Sequence, residues 1–263
     1  MTNGLRRTLF RRSELVRILS ETHPDIQDPK YDLGEQLGQW LELPDAMMLF
    51  SVLSAEDGSP TSSAQPANSD LPAELMRLRG TLSDAINNDG MFHATTEPRS
   101  APTAPRIPFP IPTPKATARS TPDFAPIHRY YLAHQREMKA AITNLRANAR
   151  RALAATPGAG RKLAGLDVTF EKSLSAREHA LLANIPNLLA SSFEQRYAEH
   201  RAEMADDATE NKTDPATWTQ PGSWLDAFCN DTKRVLLAEL ELRLKPVAGL
   251  IAALTNAPSH ATA

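Results

Sequence analysis

Leu237, Leu240, Leu244, Val247, Ile251 and Leu254 are separated by steps of three, four, three, four and three residues. Such a row keeps one apolar stripe on one side of an α-helix, the seam of helices packed about 20° from antiparallel. Two upstream runs repeat the pattern. Tyr131, Met138, Ile142, Leu145, Ala149 and Leu153 share one face; Leu163, Leu166, Phe170, Leu174, Leu181, Ile185, Leu189 and Phe193 share another. Pro157-Gly158 separates these two runs, Pro186 should kink or split the second, and Pro246 should kink the last locally. The chain holds 39 Ala and 32 Leu against 9 Ile and 5 Val. That choice favours helix and starves a sheet of the β-branched residues it packs best. The expected class is all-α, with a C-terminal bundle of three or four long helices.

Proline divides the rest. Eight of the 21 prolines fall between Pro98 and Pro122, where missing N–H donors and fixed φ exclude both helix and ladder. The organisation predicted is a small N-terminal helical module over 1–90, a proline-rich linker over 91–122 and the long-helix bundle over 123–256. Softer stretches are expected at about 56–69, at the acidic 206–221 and in a tail from 257 to 263. In the N-terminal part, Ser13 caps a helix that stops near His23-Pro24. Two short helices meet at Pro44, and Leu71, Leu75, Leu78, Leu82 and Ile86 mark a further helix capped by Asp70. Four short helices bury only a marginal core by themselves. No repeat of solenoid period is present.

Charge and cysteine bound the function. With 29 basic and 31 acidic side chains, nothing drives the whole chain toward nucleic acid or lipid. The single Cys excludes an internal disulfide framework and fits a reducing cytoplasm. No apolar run approaches the ~18 residues of a transmembrane helix. The basic N-terminus is the exception: Arg6, Arg7, Arg11 and Arg12 alternate with Leu5, Leu9 and Phe10. Such a stretch serves as an anchor on an anionic membrane surface, nucleic acid or an acidic partner, or as an ordinary solvated helix start. It lacks the apolar core and cleavage site of a secretory signal.

Chemistry-bearing motifs are few. His134 with Glu137, and His200 with Glu203, give His-x-x-Glu twice, so each pair shares a helix face. Carboxylate-bridged di-iron bundles use the reverse order and add inward Glu residues. Both pairs sit among charged neighbours, so two solvated faces are expected and a metal centre is the alternative. Gly158, Gly160 and Gly165 do not make a phosphate loop, and a turn between helices accounts for them. Cys229 lies between Phe228 and Asn230, as a packed thiol would. No nucleophile elbow is present. Neither a catalytic residue nor a cofactor is expected.

The segments SELVRILSE, LGQWLELPDAMMLFSVLS, DFAPIHRYYLAHQREMKAAITNLRANARRAL, LAGLDVTFEKSLSAREHALLANIPNLLASSFEQ and WLDAFCNDTKRVLLAELELRLKPVAGLIAAL together resemble an uncharacterised, all-helical bacterial family of unknown function. The resemblance spans nearly the whole chain and brings no activity or cofactor with it. Genes beside members of that family encode long coiled-coil membrane proteins and peptidoglycan-binding domains, so the resemblance implies an accessory role beside a cell-envelope assembly. The expected function is therefore a non-enzymatic interaction or scaffold protein with a protein partner or self-association. The stripe Leu237 to Leu254 either closes the bundle internally or pairs with another chain. A membrane-surface or nucleic-acid binder working through the N-terminal arginines, and a metal-dependent enzyme, stay as alternatives.

Overall fold

The computed structural model describes residues 13–22, 38–55, 70–87, 122–206, 218 and 220–256. Seven helices run through them, and no strand occurs among them. These are α1 (Glu14–Thr22), α2 (Leu43–Ser54), α3 (Leu71–Asn87), α4 (Ala125–Ala155), α5 (Ala159–Ala183), α6 (Ile185–Asp206) and α7 (Trp224–Thr255). The basic N-terminus, the proline-rich stretch, most of the acidic 206–221 stretch and the tail lie outside the described residues.

The fold is organised around α4 and α7, of 31 and 32 residues, which pack on each other more extensively than any other pair. At 1.5 Å per residue each spans about 47 Å. The apolar row on α7 is consumed inside the chain: Leu240, Leu244, Val247 and Ile251 are at most 4% exposed, with Leu237 and Leu254 packed at its margins. The chain reverses from α4 into α5 at Gly158, whose φ of +71° is open to glycine and strained for other residues. Asn184 ends α5, and Pro186 falls in the first turn of α6, where its missing N–H costs nothing. The second apolar run is thus split at Pro186, while α7 continues through Pro246.

Among the described residues the N-terminal helices form no core of their own. Leu15, Ile18 and Leu19 of α1 and Leu71, Leu82 and Ile86 of α3 belong to one continuous core with the long helices. The reason is one of size: the short helices α1 and α3 present too little apolar surface to one another, whereas α7 offers a long flank. Polar contacts fix them there. Arg79 meets Glu241 at 2.6 Å, and Glu21 meets Arg234 at 3.2 Å. Caps agree with the sequence, with Ser13 Oγ accepting from Val16 N–H and Asp70 Oδ1 from Ala73 N–H.

Helix α2 sits apart from that core, on α5. The Arg177 guanidinium lies 5.1 Å from the centre of the Trp40 ring, Ser173 Oγ donates to Asp45 Oδ1 at 2.6 Å, and Val52 abuts Gly165. One residue number rises as its partner's falls, so the two helices are antiparallel. Gly165 permits the approach, since a Cβ there would stand 2.8 Å from Val52 Cγ1.

Candidate functional site

Three helices converge on one buried carboxylate. Glu239 of α7 is 0% exposed. Tyr131 Oη donates to its Oε2 at 2.7 Å, Gln135 Nε2 to both oxygens at 3.0 and 3.1 Å, and Arg243 Nε to Oε1 at 2.8 Å. Gln135 Nε2 also donates to the Leu182 carbonyl at 3.0 Å, which brings α5 into the same knot. Burial first, then the charge and hydrogen bond of Glu239, pushes the Tyr131 phenol well above its usual range. Tyr131 is therefore a permanent donor. With its charge met by Arg243 and its lone pairs occupied, Glu239 is a fastening between helices.

Arg243 forms one wall of a cavity of about 100 Å³ where α4, α5 and α7 meet. Lys139, Arg146, Glu171, Glu178 and His179 share the wall with Thr143, Ser175, Ile142 and Pro246. Its two arginines, Arg146 and Arg243, are already paired with carboxylates. Arg146 holds Asp167 at 2.7 Å, and Arg150, one turn on, holds Asp167 at 2.6 Å and Glu171 at 2.5 Å. Burial would raise the Asp167 carboxyl, but the hydrogen bonds and charges of Arg146 and Arg150 outweigh it and hold the group below its usual range. Both signs of charge line the space, and it is large enough for a few waters.

The metal pairing fares differently from its sequence reading. His134 is not on a solvated face: it is 2% exposed, stacked edge-on to Tyr130 with ring centres 4.5 Å apart. Its Nε2 has no hydrogen-bond partner, and burial lowers its pKa to about 4. The stripe explains the correction, because residue 134 stands three after Tyr131 and four before Met138, inside the buried face of α4. Glu137 is half-buried beside it. His200 stacks on Trp224 at 5.9 Å, within an aromatic group that includes Tyr197 and Trp218, and Glu203 is exposed. Burial lowers the His200 pKa and Glu203 opposes that shift. Among the described residues no three His, Cys, Asp or Glu side chains gather as a metal site would require. Cys229 is fully buried. Arg6, Arg7, Arg11 and Arg12 lie outside the described residues. No described helix is long and apolar enough to cross a membrane.

The most exposed apolar surface is on α2. Leu43 is 76%, Met47 65%, Phe50 72% and Leu53 54% exposed. At 100° per residue, Leu43, Met47 and Phe50 fall within about 60° of one another, directly opposite Val52 and Asp45. Eight of the twelve residues of α2 are apolar, and its one charged residue, Asp45, faces α5. Asp45 does two jobs: Oδ1 receives Ser173, while Oδ2 accepts the Glu42 N–H at 3.1 Å and closes a capping box. The Ser173 hydrogen bond, then that of Glu42, hold its carboxyl below the usual range. Phe170 of α5, 36% exposed, lies in register with the middle of α2. The knot around Glu239 and the open face of α2 both escape a search for catalytic motifs. The first was signalled on α4 alone, by the polar Gln135 between Tyr131 and Met138 of the buried stripe, while Glu239 stands off the α7 row; the second was signalled by a helix apolar all round.

No curated protein and no solved structure matches the chain. A family model does, over residues 1–256. The chain, whose helices α1 to α7 all fall within that match, therefore belongs to the family described as protein of unknown function, DUF3348.

Proposed function

We propose that this is a non-enzymatic interaction protein, with the outer face of α2 as its contact surface and a folded protein chain as the occupant. The observation that carries this reading is the exposure of Leu43, Met47, Phe50 and Leu53 on a helix whose opposite side is already docked on α5. A helix apolar on every side belongs between two layers, and α5 supplies one. Burying a single Leu, Met or Phe side chain is worth about 1.5–3 kcal/mol, so a second layer over four of them is a substantial driving force. The resemblance favours an accessory role beside a cell-envelope assembly, and a single cysteine fits a reducing cytoplasm.

Photocrosslinking in the native cell tests the reading. Benzoylphenylalanine at Met47 should give protein adducts, while the same group at the exposed Arg151 of α4 should give none. Equal yields from both positions, or no adduct from Met47, would overturn it.

A further inference from the structure

We propose that the layer over α2 is the α2 of a second copy of this chain, the two helices antiparallel about a two-fold axis that passes between Met47 and Phe50. This rests on the interaction reading above and names the partner.

Charge carries the argument first. In a two-fold contact a charge near the axis lies close to its own copy, and it is repelled unless an opposite charge stands at its register partner. The outer face of α2 holds none, because Asp45 is turned inward to Ser173 and Glu42 precedes the helix. A face intended for a different protein is under no such restriction and ordinarily carries steering charges.

Register and size agree. Leu43, Met47, Phe50 and Ser54 form one row at steps of four, three and four. Reversing that row against itself sets Met47 beside the partner's Phe50 and Leu43 beside the partner's Ser54. Large thus meets small at the ends, and thioether meets ring at the centre, a favourable contact. Antiparallel helices also oppose their dipoles. Leu43, Met47, Phe50 and the flanking Leu53, exposed by 54–76%, offer at most about 500 Å² per copy, so a contact that buries them all reaches about 1,000 Å² in the pair, the lower limit of a specific interface. The association should therefore be reversible and concentration-dependent.

Sedimentation of the full chain between about 1 and 200 μM reads this directly. The wild type should move from monomer to dimer across that range. Phe50→Glu and Met47→Lys should each weaken association at least tenfold with unchanged helical circular dichroism, since both positions are solvent-exposed in one chain. Mixed together, they should associate again, because the register places one lysine against one glutamate. A wild type that stays monomeric at 200 μM, or a dimer indifferent to Phe50→Glu, overturns the inference. If Met47 crosslinks to another protein in that case, the interaction reading stands without this partner; if it crosslinks to nothing, both fall.

Discussion

The Tyr131 hydroxyl of α4 donates a 2.7 Å hydrogen bond to Glu239 of α7, 108 residues further along the chain. That bond and those from Gln135 and Arg243 allow an ionisable side chain to sit at 0% exposure between the two longest helices. Removing one partner leaves the others desolvated for no return.

Tyr131→Phe should therefore lower the unfolding free energy by about 2 kcal/mol. Glu239→Ala should cost more, about 3–5 kcal/mol, because Arg243 and Gln135 then lose their acceptor inside the protein. Urea titration of each variant checks the order. Equal midpoints for wild type and Tyr131→Phe would show that the bond contributes nothing net.

His134 makes stability depend on pH in a defined window. Its folded pKa of about 4 lies below the 6.5 of an exposed histidine, so the unfolded chain binds the proton more readily. The stabilising contribution is complete above pH 6.5 and is lost as pH falls from 6.5 to about 4, amounting to about 3 kcal/mol. His134→Phe should flatten that part of the curve. Asp167, held below the usual carboxylate range by its arginines, adds a separate loss only at lower pH, as pH drops through its folded value. Unfolding midpoints of the two proteins between pH 7 and 2 separate these effects, the His134 loss ending near pH 4 and the Asp167 loss beginning below it.

Gly165 should control the seating of α2. Gly165→Ala gains helix propensity of about 1 kcal/mol but drives its Cβ into Val52. Global stability should change little, while amide exchange across α2 accelerates severalfold. Adding Val52→Ala should restore protection. Acceleration that persists in the double variant would place its cause elsewhere.

Leu240→Asp should abolish folding rather than dissociate an assembly. Leu240 is 0% exposed, and a carboxylate without partners at that position costs more than the several kcal/mol by which a domain is stable. Circular dichroism should show wholesale loss of helix. A folded monomeric variant would mean that this row faces another chain after all.

Much of this architecture is legible from spacing. The stripes on α4 and α7, the reversal at Gly158, the split at Pro186 and the caps at Ser13 and Asp70 all follow from local rules of periodicity and capping. His134 shows where such reading slips. Its charged neighbours in sequence point outward, yet its own position at three from Tyr131 puts it inside. The α5 stripe slips in the opposite sense. Phe170 and Leu181 continue a row buried further on at Ile185, Leu189 and Phe193, but they remain 36% and 62% exposed, because no long helix covers that flank.

The amino-acid sequence alone determined the helical class, where the long helices begin and end, and which stripes α4 and α7 bury. Those properties depend on residues within a few turns of each other. Tertiary structure decided that α1 and α3 join the core of the long helices, that Glu239 finds Tyr131 and Gln135, and that α2 docks on α5 with its other side open. Each of these depends on which surfaces meet across more than 100 residues of chain, and helical periodicity names a buried face without naming what buries it.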